Sequence, residues 1–408
     1  MAGPLEGIRV ADFTHFMAGP VSTLLLQDLG AEVIKIEPLH GEAGRLGGAR
    51  PVPNGEGLTF QVHNRGKMST TVDLKKPEGR EVVADLIRIS DVVVENFRVG
   101  AIARLGFGYD DVVKINPTIV MASISGFGQD SPYADWPSVD FVPQAMSGLM
   151  DLNGQPGDPP TKYGVEMADY SGGIFGALSV CGALYRRAVH GQGEYIDLAM
   201  HDTMTFQLNY HPIRYQYAGL EYHRIGNRTA GSGISGSYEC KDGHVALASG
   251  GDVRWRAFVQ MLGRPDLGDD PRFQQSADRW DHHEELDEAI LAWTRQRTVA
   301  EAMRELRAYD QIAGPVYSLP QVFQDANVKH RKMLVELEHP IQGKVVVPGT
   351  VFKMRNSKPP EVTTPGPLLA EHNGHVMRDL LGYSAKKLWE LEESEVVHPK
   401  ESASLSVD

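Results

Sequence analysis

Short apolar runs separated by amphipathic stretches organise the first two hundred residues. Ile8–Phe13 (IRVADF) reads as a buried strand. Gly19–Leu29 reads as a helix, with Pro20 in a first turn where a missing N–H costs nothing. Gly30 stops it, and Ala31–Glu37 (AEVIKIE) is the next strand. Strand, helix and strand in so short a span make a βαβ unit and imply parallel pairing. The rhythm returns with a strand at Thr70–Leu74, an amphipathic helix at Glu78–Ser90 and strands at Asp91–Glu95 and Thr118–Ile124. Gly193–Met204 gives a further strand running into a helix start. The prediction is an open parallel α/β sheet, and such sheets hold ligands at the carboxyl ends of their strands.

After Leu220 the texture changes. Gly226–Gly236 holds four glycines in eleven residues. Such a loop brings backbone N–H groups close to an anion, swings as a lid, or simply connects domains. Ser237–Ala248 reads as a hairpin turning at Lys241–Asp242–Gly243. Helical periodicity runs from Val253 to Leu306. Pro340–Phe352 reads as β-structure, Thr364–Gly366 as a linker, Asp379–Leu391 as a final helix packing back on the first domain, and Glu392–Asp408 as a polar tail. The expected division is 1–220 as the N-terminal part of a large α/β domain, 226–323 as a smaller α+β domain, and 324–408 as a linker and C-terminal part returning to the large domain.

The 408 residues are too many for one ordinary core. A net charge of −13 without a basic run gives no attraction for nucleic acid or an anionic membrane. No apolar run reaches the ~18 residues of a membrane span, and the N-terminus lacks the pattern of a signal peptide, so a cytoplasmic protein is expected. Cys181 and Cys240 could form at most one disulfide, and reduced thiols are the simple reading. Several chemistries are excluded by motif. There is no GxGxxG after the first strand, no GxxxxGK[ST], no HExxH and no CxxC, and the nearest approach to a GxSxG elbow is Gly233–Ser237, GISGS. No metal site is expected; His282 and His283 are adjacent, which is poor ligand spacing.

What remains is Asp169, set between an apolar approach and the pair Gly172–Gly173, at the mouth of a buried helix, Ile174–Leu184. Asp is a preferred N-cap, and capping is the plain reading. A carboxylate in this setting also serves as general base or covalent nucleophile, and the residues alone leave that open. Asp140, just before another apolar run, is a second cap candidate. His15, Phe16 and Met17 follow the first strand. Asn96 and Arg98 follow DVVVE, with Arg104 close behind. Asn64, Arg65, Lys67 and Lys75 flank TTVDL. Basic residues at strand ends form either a solvated rim or a phosphate-binding set.

Stretches spread over nearly the whole chain carry a resemblance. They are LEGIRVADFTHFMAGP, LGAEVIKIE, NRGKMSTTVDLKKPEG, DVVVENFRVGAIARLGFGYD, ASISGFGQDSPY, ADYSGGIFGALSV, GQGEYIDLAM, GPVYSLPQVFQD and PLLAEHNGH. In order and spacing the sequence resembles the family III CoA-transferases and their relatives, the α-methylacyl-CoA racemases. The resemblance implies a Rossmann-like large domain built from both chain ends, a smaller domain, and two chains threaded through each other as an obligate homodimer. It implies acyl-CoA and carboxylic acid substrates and no permanently bound cofactor. It aligns Asp169 with an aspartate that attacks the thioester to give a mixed anhydride and then an aspartyl-CoA thioester. Gly231 and Gly233 fall in the loop that shields the anhydride from water, and Asp140 near the reacting groups. His15, Met17, Lys75, Asn96, Arg98 and Arg104 match positions that contact CoA.

Three departures bear on the substrate. Met17 and Pro38 stand where formyl-CoA transferase has glutamine and arginine, and Gly231–Ser232–Gly233–Ile234 stands for its tetraglycine. These argue against formyl-CoA and oxalate, and Met17 points to a larger or less polar acyl group. The racemases need a histidine base within GHD. Here the stretch is Ser138–Val139–Asp140, and valine accepts no proton. A non-catalytic CoA-binding subunit is the remaining alternative; it has no chemical need of Asp169.

Overall fold

Six strands build the main sheet, in a computed structural model that describes residues 3–46, 57–219, 223–248 and 251–398. They are β1 (Arg9–Asp12), β2 (Glu32–Glu37), β3 (Met68–Thr71), β4 (Val92–Glu95), β5 (Val120–Ser125) and β6 (Glu194–Ala199). Their order is β3-β2-β1-β4-β5-β6, and every neighbouring pair is parallel. Strand order therefore reverses between β1 and β4, the crevice where open α/β sheets take ligands. Val92, Val93 and Val94 are fully buried, as expected for strands covered on both faces.

Helix α1 (Ala18–Asp28) follows β1. Gly30, at φ +107°, ends it by letting the chain turn left-handed, with Gly30 N–H on Gln27 O and Ala31 N–H on Leu26 O. Helices α2 (Leu58–Asn64), α3 (Phe141–Met146) and α4 (Met167–His190) complete what positions the site. The sequence pattern marks only the apolar centre of α4, of which Ile174 and Leu178 are exposed; the helix starts seven residues earlier and closes on Gly191 at φ +70°.

Over the described residues the chain divides into two compact units. The first comprises Met1–Leu149, Tyr163–Tyr210 and Asn327–Asp408; the second comprises Met150–Lys162 and His211–Ala326. Residues 150–162, which the sequence groups with the first block, thus belong to the second unit. The limit placed at residue 220 and the end of the polar tail, 399–408, lie outside the described residues.

In the first unit the C-terminal segment covers β3, the sheet's edge strand. Asn373 accepts from Thr70 Oγ1 and Thr71 N–H, both at 2.9 Å, and donates to His398 O at 2.9 Å. Val376, Met377, Leu391, Val396 and Val397 join the core against Val82, Val83 and Leu86. Covering the edge removes a template for unwanted pairing. The single helix predicted over 379–391 is instead a π-helical turn (His375–Leu380) and a helix (Ala385–Glu393). They are separated at Gly382, φ +70°, and restarted by Ser384, whose hydroxyl accepts from Lys387 N–H. An antiparallel hairpin, Leu334–His339 with Gly343–Pro348, also belongs here.

The second unit pairs Ser235–Cys240 with Gly243–Ala248 around the expected turn, and adds Ile312–Pro315 as a third antiparallel strand. Its core gathers Trp255, Phe258, Phe273, Leu286, Ile290 and Trp293. Both cysteines are free.

Candidate active site

The turn after β1 is bent against its own preference. Phe16 adopts φ +58°, a left-handed conformation that costs a non-glycine residue about 1–3 kcal/mol. Three side chains from other elements hold it. Lys35 Nζ donates to Thr14 O at 2.7 Å. Asn96 brackets His15, accepting its N–H at 2.8 Å and donating to its carbonyl at 2.9 Å. Glu42 Oε2 accepts the Phe16 N–H at 3.2 Å. His15 and Asn96 thereby join the carboxyl ends of β1 and β4 at the switch point. Burial, aided by the charge of Lys35, lowers the His15 pKa to about 4, so the ring is neutral.

Below the turn lies a buried set of charges. Lys67 Nζ donates to Asp12 Oδ2 (3.0 Å), Thr23 Oγ1 (2.7 Å), Asn64 Oδ1 (2.9 Å) and Pro20 O (3.2 Å). Burial pulls Lys67 down to about 8 against the attraction of Asp12. For Asp12 burial works upward, but Lys67, Lys35 and the Thr14 hydrogen bonds hold it below the usual carboxylate range. Arg45 forks onto Glu37 at 2.6 and 2.7 Å, and Arg65 onto Asp28 at 2.7 and 2.8 Å. Arg65 and Lys67, read from sequence as members of a strand-end basic rim, are therefore buried and paired. The signal missed was Lys35, a lysine inside the apolar run AEVIKIE.

Asp169 is the third residue of α4, not its cap. Asp140 takes that duty from 29 residues away: its Oδ1 accepts the N–H groups of Ala168 (2.8 Å) and Asp169 (3.4 Å). Nor does Asp140 cap the helix it precedes, since its side chain accepts no backbone N–H from the first turn of α3. Gln144 Nε2 donates to Asp140 Oδ2 at 2.6 Å, and Gln144 Oε1 accepts Tyr163 N–H at 3.0 Å, which ties the approach to α4 into place. Among the described residues no hydrogen bond engages the Asp169 carboxylate oxygens. Burial, joined by the charges of Asp140 and Glu166, raises its pKa to about 7.

The glycines after Asp169 set its neighbourhood. A Cβ on Gly173 would stand 2.5 Å from Val21 Cγ1 and 2.9 Å from Ala18 O; one on Gly176 would stand 3.0 Å from Ser22 Oγ. Residues 18, 21 and 22 of α1 thus meet 173 and 176 of α4 in the same order, so the two helices run parallel and α4 begins before α1. Asp169 lies one turn before Gly173 on that face. It therefore stands beyond the start of α1, where the first-turn amides have no intrahelical acceptor and the helix dipole favours negative charge. Met17 is the N-terminal flanking residue of α1 and is half-buried. Tyr170 turns elsewhere, its hydroxyl 3.1 Å from His63 Nε2 on α2.

Lys75, Arg98 and Arg104 are exposed past the ends of β3 and β4, and among the described residues none pairs with their side chains. Gly231 and Gly233 lie in the second unit. Gly231 has φ +77°, which favours glycine, and a Cβ on Gly233 would stand 2.1 Å from Arg279 Cβ, so the loop's backbone calls for glycine at the first position and the close approach of Arg279 calls for it at the second. Among the described residues no group of three or more His, Cys, Asp and Glu could hold a metal ion, and no helix is long and apolar enough to cross a membrane.

Comparison with known proteins gives a consistent result. The family profile described as CoA-transferase family III matches residues 5–373. The chain is 34% identical to a formyl-CoA:oxalate CoA-transferase of Streptomyces avermitilis, with 97% of this chain and 100% of that protein covered. It is 33% identical to a succinyl-CoA:glutarate CoA-transferase of Mus musculus, covering 98% and 91%. Among solved structures it resembles a CaiB/BaiF family protein from Brucella suis, with a TM-score of 0.84, 32% identity and coverage of 93% and 100%.

Proposed function

The chain belongs to CoA-transferase family III, enzymes of the EC 2.8.3 type, and on that premise we propose that it moves CoA from an acyl-CoA to a free carboxylic acid through intermediates carried on Asp169. One observation carries this reading: Asp140 caps α4 in place of Asp169, which leaves the Asp169 oxygens without a structural partner at the start of two helices.

The sequence of bonds follows. An Asp169 oxygen attacks the thioester carbonyl, the C–S bond breaks and CoA leaves as thiolate. The thiolate attacks the aspartyl carbonyl of the anhydride and releases the donor acid. An incoming carboxylate attacks the aspartyl-CoA thioester, the C–S bond breaks and a second anhydride forms; the expelled thiolate then attacks its acyl carbonyl and releases the Asp169 carboxylate. Splitting the transfer in this way replaces attack of a weak carboxylate nucleophile on a thioester by easier steps. The amides of Ala18 and Gly19 at the start of α1 then stabilise the oxyanions. Lys75, Arg98 and Arg104 supply cations for the phosphates of CoA, while Asn96 and His15 shape the turn beneath it.

We also propose a homodimer. Ile174, Leu178, Tyr185 and Val189 form an exposed apolar stripe along α4, which a second chain would cover.

The test uses the purified chain alone, with acyl-CoA and a labelled acid. Transfer of CoA to the acid, lost by at least about a thousandfold in Asp169→Asn, supports the reading. Deuterium uptake at the α-carbon of a branched acyl-CoA without transfer would instead identify a racemase.

A further inference from the structure

We propose that the acyl group this site accepts is apolar and uncharged at its far end, making the substrate a monocarboxylic acyl-CoA and not a dicarboxylic one. The inference rests on Asp169 being the reacting group. Three segments frame that carboxylate. Residues 14–19 of the β1 turn carry no charge once His15 is neutral. Residues 137–146 carry one, Asp140, and residues 163–169 carry Glu166 and Asp169 itself. Every charge on the frame is thus an acid. The cations below it are engaged: Lys67 by Asp12, Arg45 by Glu37, and Lys35 by the Thr14 carbonyl with Glu42 at 3.9 Å. A second carboxylate on the acyl chain would lose water here and meet like charge.

The same segments present apolar side chains to solvent. Val139 is 67% exposed, Phe141 51% and Val165 56%, and Phe16 is exposed beside Met17. These positions adjoin one another, because Asp140 is bonded to Ala168 and Asp169, Gln144 to Tyr163, and Ala18 packs against Gly172 and Gly173. An alkyl or aryl chain extending from the thioester would cover them.

The test uses pairs that differ only in the terminal group: butyryl against succinyl, and valeryl against glutaryl. Calorimetry with dethia (ketone) analogues reads binding to the whole protein, and hydroxylamine trapping with the thioesters reads reaction at Asp169. The expected result is at least about tenfold tighter binding of the monocarboxylic member of each pair. Equal or tighter binding of the dicarboxylic member overturns the substrate class while leaving Asp169 chemistry intact if its hydroxamate forms. Absence of an Asp169 hydroxamate with every thioester overturns the Asp169 reading, and this inference with it. Val139→Arg, at an exposed position, should narrow the preference by placing a cation on the frame; an unchanged preference counts against the location proposed.

Discussion

On the proposed mechanism Asp169 is left open to react because Asp140 performs the capping, and the Asp140 charge acts on the Asp169 carboxyl. The proposed role as nucleophile requires the ionised form, and the Asp169 pKa is raised to about 7, above the ordinary 3.8, by burial and the charges of Asp140 and Glu166. Turnover should therefore rise as pH climbs through about 7 and fall about tenfold per pH unit below it. Asp140→Asn keeps an acceptor for the Ala168 N–H and removes one charge, so the acid limb of kcat/KM should move to lower pH. A limb that stays in place contradicts the electrostatic coupling. At this scale the sequence singled out Asp169 and Asp140 but not the bond between them. The glycine setting of Asp169 was legible, whereas its partner lies 29 residues away and no local pattern encodes a cap supplied across space. Glu42 escaped for the same reason: its role appears only when the Phe16 N–H it accepts is bent into the left-handed region.

Helices α1 and α4 are the elements that place the site, and their close approach depends on missing side chains. Gly173→Ala should cost about 1–3 kcal/mol by overpacking, since its Cβ would meet Val21 and the Ala18 carbonyl, and it should lower turnover by moving the start of α1 away from Asp169. Gly182→Ala is the control on the same helix. A Cβ there meets nothing within 4 Å, so that change should stabilise by about 0.5–1 kcal/mol. Denaturant unfolding distinguishes them; equal effects would show that the glycine pair has no packing role. Strands and their parallel pairing were readable from apolar periodicity. Boundaries were less so: the start of α4 is polar and half-exposed, and the strand Ile312–Pro315 sits in a stretch without alternation.

Across the whole molecule the sign of the charge is uneven in its use. The chain carries a net −13, yet the ligand that its family handles is itself anionic. On the proposed reading, the exposed cations past β3 and β4 meet that ligand locally. Alanine at Lys75, Arg98 or Arg104 should raise KM for acyl-CoA several-fold with a smaller change in kcat, and should flatten the dependence of KM on ionic strength. A KM unmoved by all three would place the phosphates elsewhere. The return of the C-terminal segment to the β3 edge was anticipated as a helix packing back. Its actual lock, Asn373 on Thr70 and Thr71, joins residues some 300 positions apart and has no signature in either stretch alone.

The most direct measurement is on the Asp169 carboxylate during turnover. The protein is mixed with acyl-CoA, quenched with hydroxylamine, and the peptide spanning Asp169 is weighed. An aspartyl anhydride or thioester predicts a hydroxamate on Asp169 that requires acyl-CoA and is absent in Asp169→Asn. An unmodified Asp169 in an enzyme that still transfers CoA would contradict the covalent mechanism.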